Sequence, residues 1–551
     1  MNPHKVLAVL VAGAAIAACD SGDINIEPTT SVSNSNNTVN QGGGGSEDDI
    51  CASYVEDGQT IRGNADADGN CTYGAAFVGP KNNLTVDVLL PALPDGGAHI
   101  FTSSLFVGET YRTQAELEAA GIAEGGDGPT LTIEAGATVA FQSNNNFLIV
   151  NRGSQILANG TADAPITFTS VSDLDGNVGP EDVQQWGGMI INGFGVSNKC
   201  AYNGVRGDAG FELTPGEECS IEAEGSVGDD ESHYGGDNDA DDSGILRYVV
   251  VKHTGAEVAS GDELNGISFN AVGSSTVVEN LQMYSTYDDG IEMFGGAVNF
   301  TNYVALYVRD DSIDIDEGWN GSLTNGLVIQ AANDGNHCIE ADGIGSYSAA
   351  NAALNQDFIA RGLNSAPTIS NLTCIVSPNL TGTHDPGAGW RFREGIHPTV
   401  TNSLLITSFA ANDTTEANDN YCLRIDDDET NAAIASGDLV ISSTIFACQE
   451  NGRDDEQAVA EAMGNQFATI ASGTAADAST AADPDLQLTE GELKLYSVSW
   501  ATSFVDGAAP VATTQPTAGD ILGAVSATAD WTAGWTYGIH PDNRAQALWF
   551  E

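Results

Sequence analysis

The chain has 551 residues, with 17 lysines and arginines against 77 aspartates and glutamates, and a formal net charge of −60. A surface this acidic excludes nucleic acid as a direct partner, because binding to a phosphate backbone requires basic side chains that release counterions. Hydrophobic residues make up 41% of the chain and glycine contributes 64 residues, which excludes a disordered acidic polymer and suits many short strands joined by turns.

The N-terminus has the features of an export signal. Lys5 precedes an apolar run from Val6 to Ala18 that is too short to span a bilayer as a helix. Small residues end the run directly before Cys19, and this arrangement resembles the cleavage box of bacterial lipoproteins. We predict that residues 1–18 are a lipoprotein signal peptide and that a lipid on Cys19 anchors the chain to the membrane. An ordinary signal peptide followed by an unrelated cysteine is the alternative.

Residues 19–48 are rich in serine, asparagine and glycine, which predicts a flexible tether between the anchor and the folded chain. Asp20 follows the predicted anchor directly. In enteric bacteria this residue type favours the inner membrane, but other bacterial groups do not follow that rule. We expect an outer-membrane lipoprotein that faces the cell exterior, and a periplasmic orientation stays open.

Apart from Cys19 the chain has eight cysteines, and an even number in an exported protein predicts disulfides. Nearest-neighbour pairing is the simplest arrangement, and it gives Cys51–Cys71, Cys200–Cys219, Cys338–Cys374 and Cys422–Cys448. A zinc site is the alternative, although no C-x-x-C pair supports it.

The middle of the chain repeats with an offset of 22 residues. The matched positions are Asn280 and Asn302, the pairs Asp288-Asp289 and Asp310-Asp311, and Ile291 and Ile313. A unit of this length cannot bury its own apolar face, whereas stacked units close a continuous core with parallel strands about 4.8 Å apart. The recurring asparagine indicates a hydrogen-bonded ladder at a turn. We therefore predict an all-β fold, a right-handed parallel β-helix with short capping helices, and an antiparallel sandwich is the alternative.

This repeat divides the rest of the chain into three regions. Residues 49–125 are expected to form an N-terminal cap region, in which Thr113 and Glu116 make a capping box at the start of a short helix that could plug the open end. Residues 126–450 are assigned to the β-helix. Residues 451–551 are expected to pack back on the last coils.

Four segments of this region resemble a family of bacterial surface lipoproteins with the pectin-lyase-type β-helix. The segments are APITFTS at 164–170, WGGMIIN at 186–192, YDDGIEMFGG at 287–296 and DWTAGW at 530–535. The resemblance covers roughly residues 125–550. The resemblance implies a pectin-lyase-type β-helix at the cell surface. It provides no catalytic motif that could be assigned to residues of this chain.

Strand alternation predicts two outward columns of mostly charged side chains, if the apolar residues between them point inward. The first column is Glu292, Asp314, Glu340, Arg391 and Arg424, and the second is Phe294, Asp316, Asp342, Arg393 and Asp426. Carboxylates stacked about 4.8 Å apart repel by roughly 3–4 kcal/mol at an effective dielectric constant near 20. Bound calcium, the arginines or raised pKa values could offset this repulsion, and a solvated acidic face is the alternative.

Calcium is expected at two clusters of carboxylates. Asp237, Asp239 and Asp241 alternate along a loop as in calcium-binding loops. Asp288, Asp289, Asp310 and Asp311 lie at the turn before the charged columns. Because so acidic a chain matches such patterns by chance, solvated carboxylates are again the alternative.

Three hypotheses of function follow, and the last is a purely structural spacer that binds no ligand. The first is a lipid-anchored binding or adhesion protein, a calcium-stabilised β-helix whose acidic face meets an extracellular polysaccharide or a partner outer-membrane protein such as a transporter. The second is a polysaccharide lyase or glycoside hydrolase acting on the same face, with Asp314, Asp316, Arg391, Arg393 and Arg424 as candidate catalytic residues. Pectate-lyase-like β-helices combine calcium carboxylates with an arginine base, and β-helix hydrolases use paired carboxylates.

Other features bear on the enzyme hypothesis. The Gly-His-Gly signature of β-helix hydrolases is absent from the sequence, and an arginine beside carboxylates is more often a structural salt bridge. Trp186, Trp319 and Trp390 are candidates for stacking on sugar rings, although alternation places Trp390 in the core. His337 is interpreted as a turn residue near a disulfide, with metal binding as the alternative.

Overall fold

The computed structural model describes residues 50–226, 231–259, 262–377, 387–407, 421–447, 450–453, 457–463, 497–499, 521–525 and 530–549. The predicted signal peptide at 1–18, the lipidation site Cys19, the tether at 19–48 and Cys448 lie outside these residues. Within the described ranges, every helix is too short or too polar to cross a membrane.

The chain is built mainly from short strands, which we number in chain order. Strands β1 to β17 are Ser53–Glu56, Gln59–Arg62, Asn64–Ala65, Cys71–Tyr73, Val88–Leu90, Ala98–Phe101, Leu105–Val107, Thr130–Ile133, Thr138–Phe141, Leu148–Val150, Gln155–Asn159, Ile166–Ser170, Met189–Asn192, Tyr202–Asn203, Glu212–Leu213, Ile221–Glu222 and His233–Tyr234. Strands β18 to β37 are Gly244–Lys252, Glu257–Ala259, Asp262–Glu263, Ile267–Asn270, Val277–Tyr284, Ile291–Phe294, Asn299–Leu306, Ile313–Asp316, Ser322–Ile329, His337–Asp342, Thr368–Val376, Ala388–Arg393, Thr399–Thr401, Leu404–Thr407, Tyr421–Ile425, Val440–Ser442, Ile445–Ala447, Glu450–Gly452, Ser497–Ser499 and Ile521–Gly523.

Ten strands form one sheet, here called the wall sheet, in the order β35-β32-β29-β27-β25-β23-β21-β13-β10-β7. Every neighbouring pair in it is parallel. Parallel neighbours need a crossover connection, so the chain leaves the wall sheet after each strand and winds around before it returns. The fold is thus an all-β, right-handed parallel β-helix, as predicted, and the antiparallel sandwich is excluded.

A second sheet of 17 strands carries the remaining sides of the coils. Its five longest strands each contain one interior residue with a positive φ angle, which splits the strand into two ladder segments; these residues are Tyr248, Asn280, Asn302, Asn325 and Asn371. In the following coils the two segments are separate strands, since β30 and β31 pair with the two halves of β28. Each central coil therefore contributes one segment to the wall sheet and two to the second sheet.

The predicted asparagine ladder is present at these turns. The side-chain amide of Asn302 donates to Asn280 Oδ1 at 2.9 Å, and Asn325 donates to Asn302 at the same distance. The ladder continues through Asn371 and ends at Asn402. Asparagine tolerates the left-handed conformation that the turn requires, and its amide also links one coil to the next.

The coils enclose one continuous apolar core. Along the wall sheet the inward residues are fully buried, as for Ile291, Met293, Ile313 and Ile315. The predicted alternation therefore holds, because the charged residues between these positions must lie on the outer face. Trp186, Trp319 and Trp390 are also fully buried. The prediction that these tryptophans stack on sugar rings is not supported, since none of the three rings reaches the surface.

The helices are short and lie between coils. They are α1 Gln114–Ala120, α2 Val171–Leu174, α3 Ala352–Ala360, α4 Asp428–Ser436 and α5 Gln457–Ala462. The capping box predicted at Thr113 and Glu116 begins α1, and Gly121 ends it in the left-handed conformation. Leu117 of α1 packs with Ile122 and Phe194. The helix therefore lies in a connection between coils and does not plug the open end.

The coils begin upstream of residue 126, within the segment that the sequence assigns to a cap. Strands β5, β6 and β7 pair in parallel with β8, β9 and β10, respectively, and so form a complete earlier coil. The sequence signal for this coil is weak because its strands have three or four residues and lack the 22-residue spacing.

The C-terminal segment packs on the outer face of the second sheet. Trp535, Ile539 and Leu548 join a buried apolar cluster with sheet residues that extend from Val250 to Ile406. The side chain of Gln282 hydrogen-bonds both the amide and the carbonyl of Tyr537. The segment thus covers the middle of the β-helix, and not only the last coils as expected.

Three of the four predicted disulfides are present, namely Cys51–Cys71, Cys200–Cys219 and Cys338–Cys374. Nearest-neighbour pairing is therefore confirmed for these six cysteines. Cys422 is buried in β32, and its predicted partner Cys448 lies outside the described residues.

Candidate functional site

The outer face of the wall sheet carries the charged residues that the sequence singled out. We call the charged wall the set Glu292, Asp314, Asp316, Glu340, Asp342, Arg391, Arg393, Arg424 and Asp426. Strand pairing stacks Glu292 on Asp314, Asp314 on Glu340, Glu340 on Arg391 and Arg391 on Arg424. In the second column Phe294 pairs with Asp316 and Asp342 with Arg393. The first predicted column is therefore confirmed throughout, over coils that are separated by insertions of different length, and the second is confirmed at these two steps.

The wall is less exposed than a solvated acidic face would be. Glu292 keeps 7% of its surface and the other wall residues are half-buried. The connection between β13 and β18 packs against this side, because Lys199 and Tyr234 from that connection both reach the carboxylate of Glu317 next to Asp316. Glu317 itself is fully buried. The alternative of freely solvated carboxylates is therefore wrong for this face.

Arginine–carboxylate pairs occupy one end of the wall. Arg391 contacts Glu340 at 2.8 Å and Asp426 at 2.9 Å. Arg393 pairs with Asp342 and also with Glu340, and Arg424 pairs with Asp426 at 2.7 Å. Burial alone would raise the pKa of Glu340, but His337, Arg393 and Arg391 outweigh it and lower that pKa.

Clustered carboxylates occupy the other end. Oxygens of Asp289, Glu292 and Asp314 lie within 4.8 Å of one another, and those of Asp288, Asp289 and Asp310 form a second group of the same size. Within the described part of the chain, no basic side chain forms an ion pair with Asp289, Glu292 or Asp314. Burial, reinforced by neighbouring negative charges, raises the pKa of each of these three carboxyls. Both groups have the oxygen ligands that calcium prefers.

A third group lies between the two ends. Asp311, His337 and Glu340 bring two carboxylates and an imidazole within 4.8 Å of one another. Burial lowers the pKa of His337 to about 4. Its Nε2 lies 2.7 Å from the hydroxyl of Tyr421. The interpretation of His337 as a turn residue is wrong, because it is the first residue of β27 and faces this group.

The predicted calcium loop does not assemble. Asp239 pairs with Arg206, Asp237 accepts from the amide of Leu213, and Asp241 accepts from the amides of Gly125 and Phe194. The three carboxylates therefore point to three different partners. Hydrogen bonds and one ion pair account for this loop. Among the described residues, the groups of carboxylates close enough to share an ion lie on the wall sheet and at the turns directly before its strands.

Sequence reasoning missed two contributors to the site. Lys199 comes from a long connection between coils, and Tyr421 lies three coils beyond Asp311 in the wall sheet. Neither carries the 22-residue spacing that revealed the columns. The only signal for His337 was its place one residue before Cys338 and two before Ile339, which begins the inward pattern of its strand.

Comparison with known proteins agrees with this architecture. A family model, the pectate-lyase like beta helix domain, matches residues 108–536, which is more than half of the chain. The chain therefore belongs to the family of pectate-lyase-like β-helix proteins. A search of the curated proteins and a search of the solved structures returned no match. Membership in this family defines the fold. It does not define the activity, which must be inferred from the residues of the charged wall.

Proposed function

We propose that this chain is a lipid-anchored binding or adhesion protein of the outer membrane, and that the charged wall is its ligand-binding surface. The observation that carries the proposal is the stacking of Glu292, Asp314, Glu340, Arg391 and Arg424 in one column of a rigid parallel sheet. Five strands at a spacing of about 4.8 Å give a column roughly 19 Å long, which is enough to contact an extended polymer.

Calcium is the proposed cofactor at the carboxylate end. Asp289, Glu292 and Asp314 converge, as do Asp288, Asp289 and Asp310. Each pair of ionised carboxylates at about 4.8 Å repels by roughly 3–4 kcal/mol at a dielectric constant near 20. A divalent cation removes this repulsion at neutral pH, whereas protonation removes it only when the solution is acidic enough. Asp311 belongs to the neighbouring group with His337 and is not assigned to calcium.

The proposed ligand is an extracellular anionic polysaccharide. A calcium ion held at one end of the column would still offer coordination positions to sugar carboxylates or sulfates. At the other end Arg391, Arg393 and Arg424 are paired with carboxylates of the wall, but a guanidinium group has five N–H donors, so each arginine has donors beyond those contacts for such anions. A partner outer-membrane protein is the alternative ligand.

Binding to immobilised polygalacturonate tests this proposal, and an immobilised neutral glucan is the control polymer. We expect binding to polygalacturonate that requires calcium and falls at least tenfold in the Asp289→Asn variant. The Asp237→Asn variant is the matched control, since Asp237 lies in a loop outside the wall, and it should bind like the wild type. Equal binding to both polymers, or binding unaffected by Asp289→Asn, would contradict the assignment of the wall as the ligand surface.

The membrane anchor has a separate test. The predicted cleavage and lipidation of Cys19 should place the protein in the membrane fraction and incorporate a labelled fatty acid. The Cys19→Ser variant should do neither. Protease treatment of intact cells then distinguishes an outward from a periplasmic orientation. A wild-type protein that stays in the soluble fraction would contradict the anchor.

Cleavage of the polysaccharide is the alternative function, and one observation favours it. Burial, then the charge of Glu317, raises the pKa of Asp316 to about 7, which is suitable for a general acid at neutral pH. The arginines argue against a lyase. Burial alone would lower the pKa of Arg391 and Arg393, but their carboxylate partners outweigh burial and raise it, whereas a base needs a lowered pKa. An assay for unsaturated or reducing ends, with Asp316→Asn as the comparison, decides between binding and turnover.

A further inference from the structure

The group formed by Asp311, His337 and Glu340 differs in chemistry from the carboxylate groups beside it. Its three ligand atoms lie within 4.8 Å of one another, and one of them is an imidazole nitrogen. Asp311 is 4% exposed and His337 is 7% exposed. An imidazole buried against two carboxylates needs an explanation of its own, since calcium sites are built from oxygen ligands.

The two ring nitrogens of His337 face different partners. Nδ1 lies 2.8 Å from Asp311 Oδ1 and 3.8 Å from Glu340 Oε1. Nε2 lies 2.7 Å from the hydroxyl of Tyr421. Metal-binding histidines show this division, in which one nitrogen faces the ion and the other is hydrogen-bonded to a group that fixes the ring orientation.

The two carboxylates are also held in place by neighbours. The backbone amide of His337 donates to Asp311 Oδ1 at 2.7 Å. Arg391 donates to Glu340 Oε1 at 2.8 Å, and Arg393 donates to its other oxygen at 3.2 Å. Ligating carboxylates in metal sites are hydrogen-bonded in the same way.

The arginines do not remove the negative charge around the group. Asp310, Asp314 and Asp342 also act electrostatically on Asp311, Glu340 or their neighbours. The group thus combines a fixed imidazole, two positioned carboxylates and a surplus of negative charge.

We propose that Asp311, His337 and Glu340 bind a first-row divalent cation of the zinc type. One imidazole and two carboxylates are three ligands that suit zinc and leave a fourth position for water or a ligand group. Calcium, which takes six to eight oxygens, fits the all-carboxylate groups better. This site does not depend on calcium or polysaccharide binding, and it can be tested while those proposals fail.

Zinc titration of the untagged, chelator-stripped chain by calorimetry, in excess calcium, tests the site. We expect one zinc ion per chain that calcium does not displace. The His337→Asn variant should weaken zinc binding at least tenfold, and the Tyr421→Phe variant should weaken it by roughly 10- to 100-fold. The Asp289→Asn variant removes a charge from the calcium groups and keeps the oxygen that accepts a hydrogen bond from the amide of Asp311, so zinc binding should stay within about twofold of the wild type. Calcium titration of the same variants reports on the proposed function separately.

Copper provides a readout that does not require the histidine variant to fold. With Cu²⁺ as the probe, the electron paramagnetic resonance spectrum of the wild type should show coupling to one imidazole nitrogen. The site is overturned if the wild type binds no zinc, if zinc binding is unchanged in the Tyr421→Phe variant, or if the copper spectrum lacks nitrogen coupling. In each of those cases the Asp311–His337–Tyr421 contacts are hydrogen bonds only.

Discussion

Asp314 and Glu340 lie directly opposite each other in neighbouring coils, yet their pKa values shift in opposite directions. Burial, then the charges of Glu340 and Asp311, raises the pKa of Asp314. The pKa of Glu340 is lowered, because His337, Arg393 and Arg391 together outweigh its burial. The wall therefore changes from clustered carboxylates to ion pairs within one coil step of about 4.8 Å.

Replacing Asp314 by asparagine should stabilise the calcium-free protein. The asparagine side chain keeps the oxygen that accepts a hydrogen bond from the amide of Ile315. The substitution removes one negative charge from the cluster with Asp289 and Glu292. We expect the free energy of unfolding to rise by about 1–3 kcal/mol at neutral pH, because the substitution removes one of the charges that repel one another in this cluster. Urea denaturation in the presence of a chelator measures the change. A loss of stability would show that the carboxylate does not experience net repulsion.

The calcium-free protein should also lose stability as the pH rises. Asp316 has a pKa of about 7 in the folded chain against an ordinary value of 3.8, so the folded state holds a proton that the unfolded state releases. The stabilisation is complete below about pH 4 and is lost as the pH rises through about 7. Melting temperatures between about pH 5 and pH 8 should fall, with a shallower slope in the Asp316→Asn variant. The Asp237→Asn variant should keep the wild-type slope, and a flat wild-type profile would refute the expectation.

Removing a charge at the arginine end of the charged wall should destabilise the protein, whereas Asp314→Asn at the carboxylate end should stabilise it. Arg391→Ala leaves Glu340 and Asp426 half-buried with one fewer partner. We expect a loss of roughly 1–3 kcal/mol, between the values for exposed and buried pairs. Arg247→Ala removes the more exposed pair with Glu279 and should change stability by less than about 1 kcal/mol. If the two substitutions change the free energy of unfolding in urea equally, the ion pairs of Arg391 contribute no more to stability than the exposed pair of Arg247.

Much of this site could be predicted from the sequence, and the limits have a physical cause. The 22-residue spacing places Glu292 on Asp314 because both coils have the same length, and strand alternation then fixes which side chains face outward. The contact between His337 and Tyr421 has no such signal, since insertions of unequal length separate their coils. The half-buried state of the wall was also missed, because it depends on Lys199 and its connection, whose packing follows from no local period.

The asparagine ladder offers a test of the repeat itself. Asn325 has a φ angle of 62° and bonds to Asn302 and Asn371. Asn325→Ala should destabilise the chain by about 2–4 kcal/mol, because it removes two hydrogen bonds and strains the left-handed backbone. Asn325→Gly relieves the strain and should recover part of the loss. If urea denaturation shows that glycine is no better than alanine at this position, the backbone conformation contributes nothing to the stability of the turn.

Calcium titration of the chelator-stripped protein at neutral pH, followed by calorimetry and by melting temperature, is the most direct test that the wall sheet gathers its carboxylates around a cation. The account predicts a binding heat and a melting temperature that rises with calcium, since a ligand at 100 times its dissociation constant stabilises a protein by about 2.7 kcal/mol. Both signals should be lost in the Asp289→Asn variant, because Asp289 belongs to both carboxylate groups. A wild-type protein that shows neither heat nor a change in melting temperature would contradict the account.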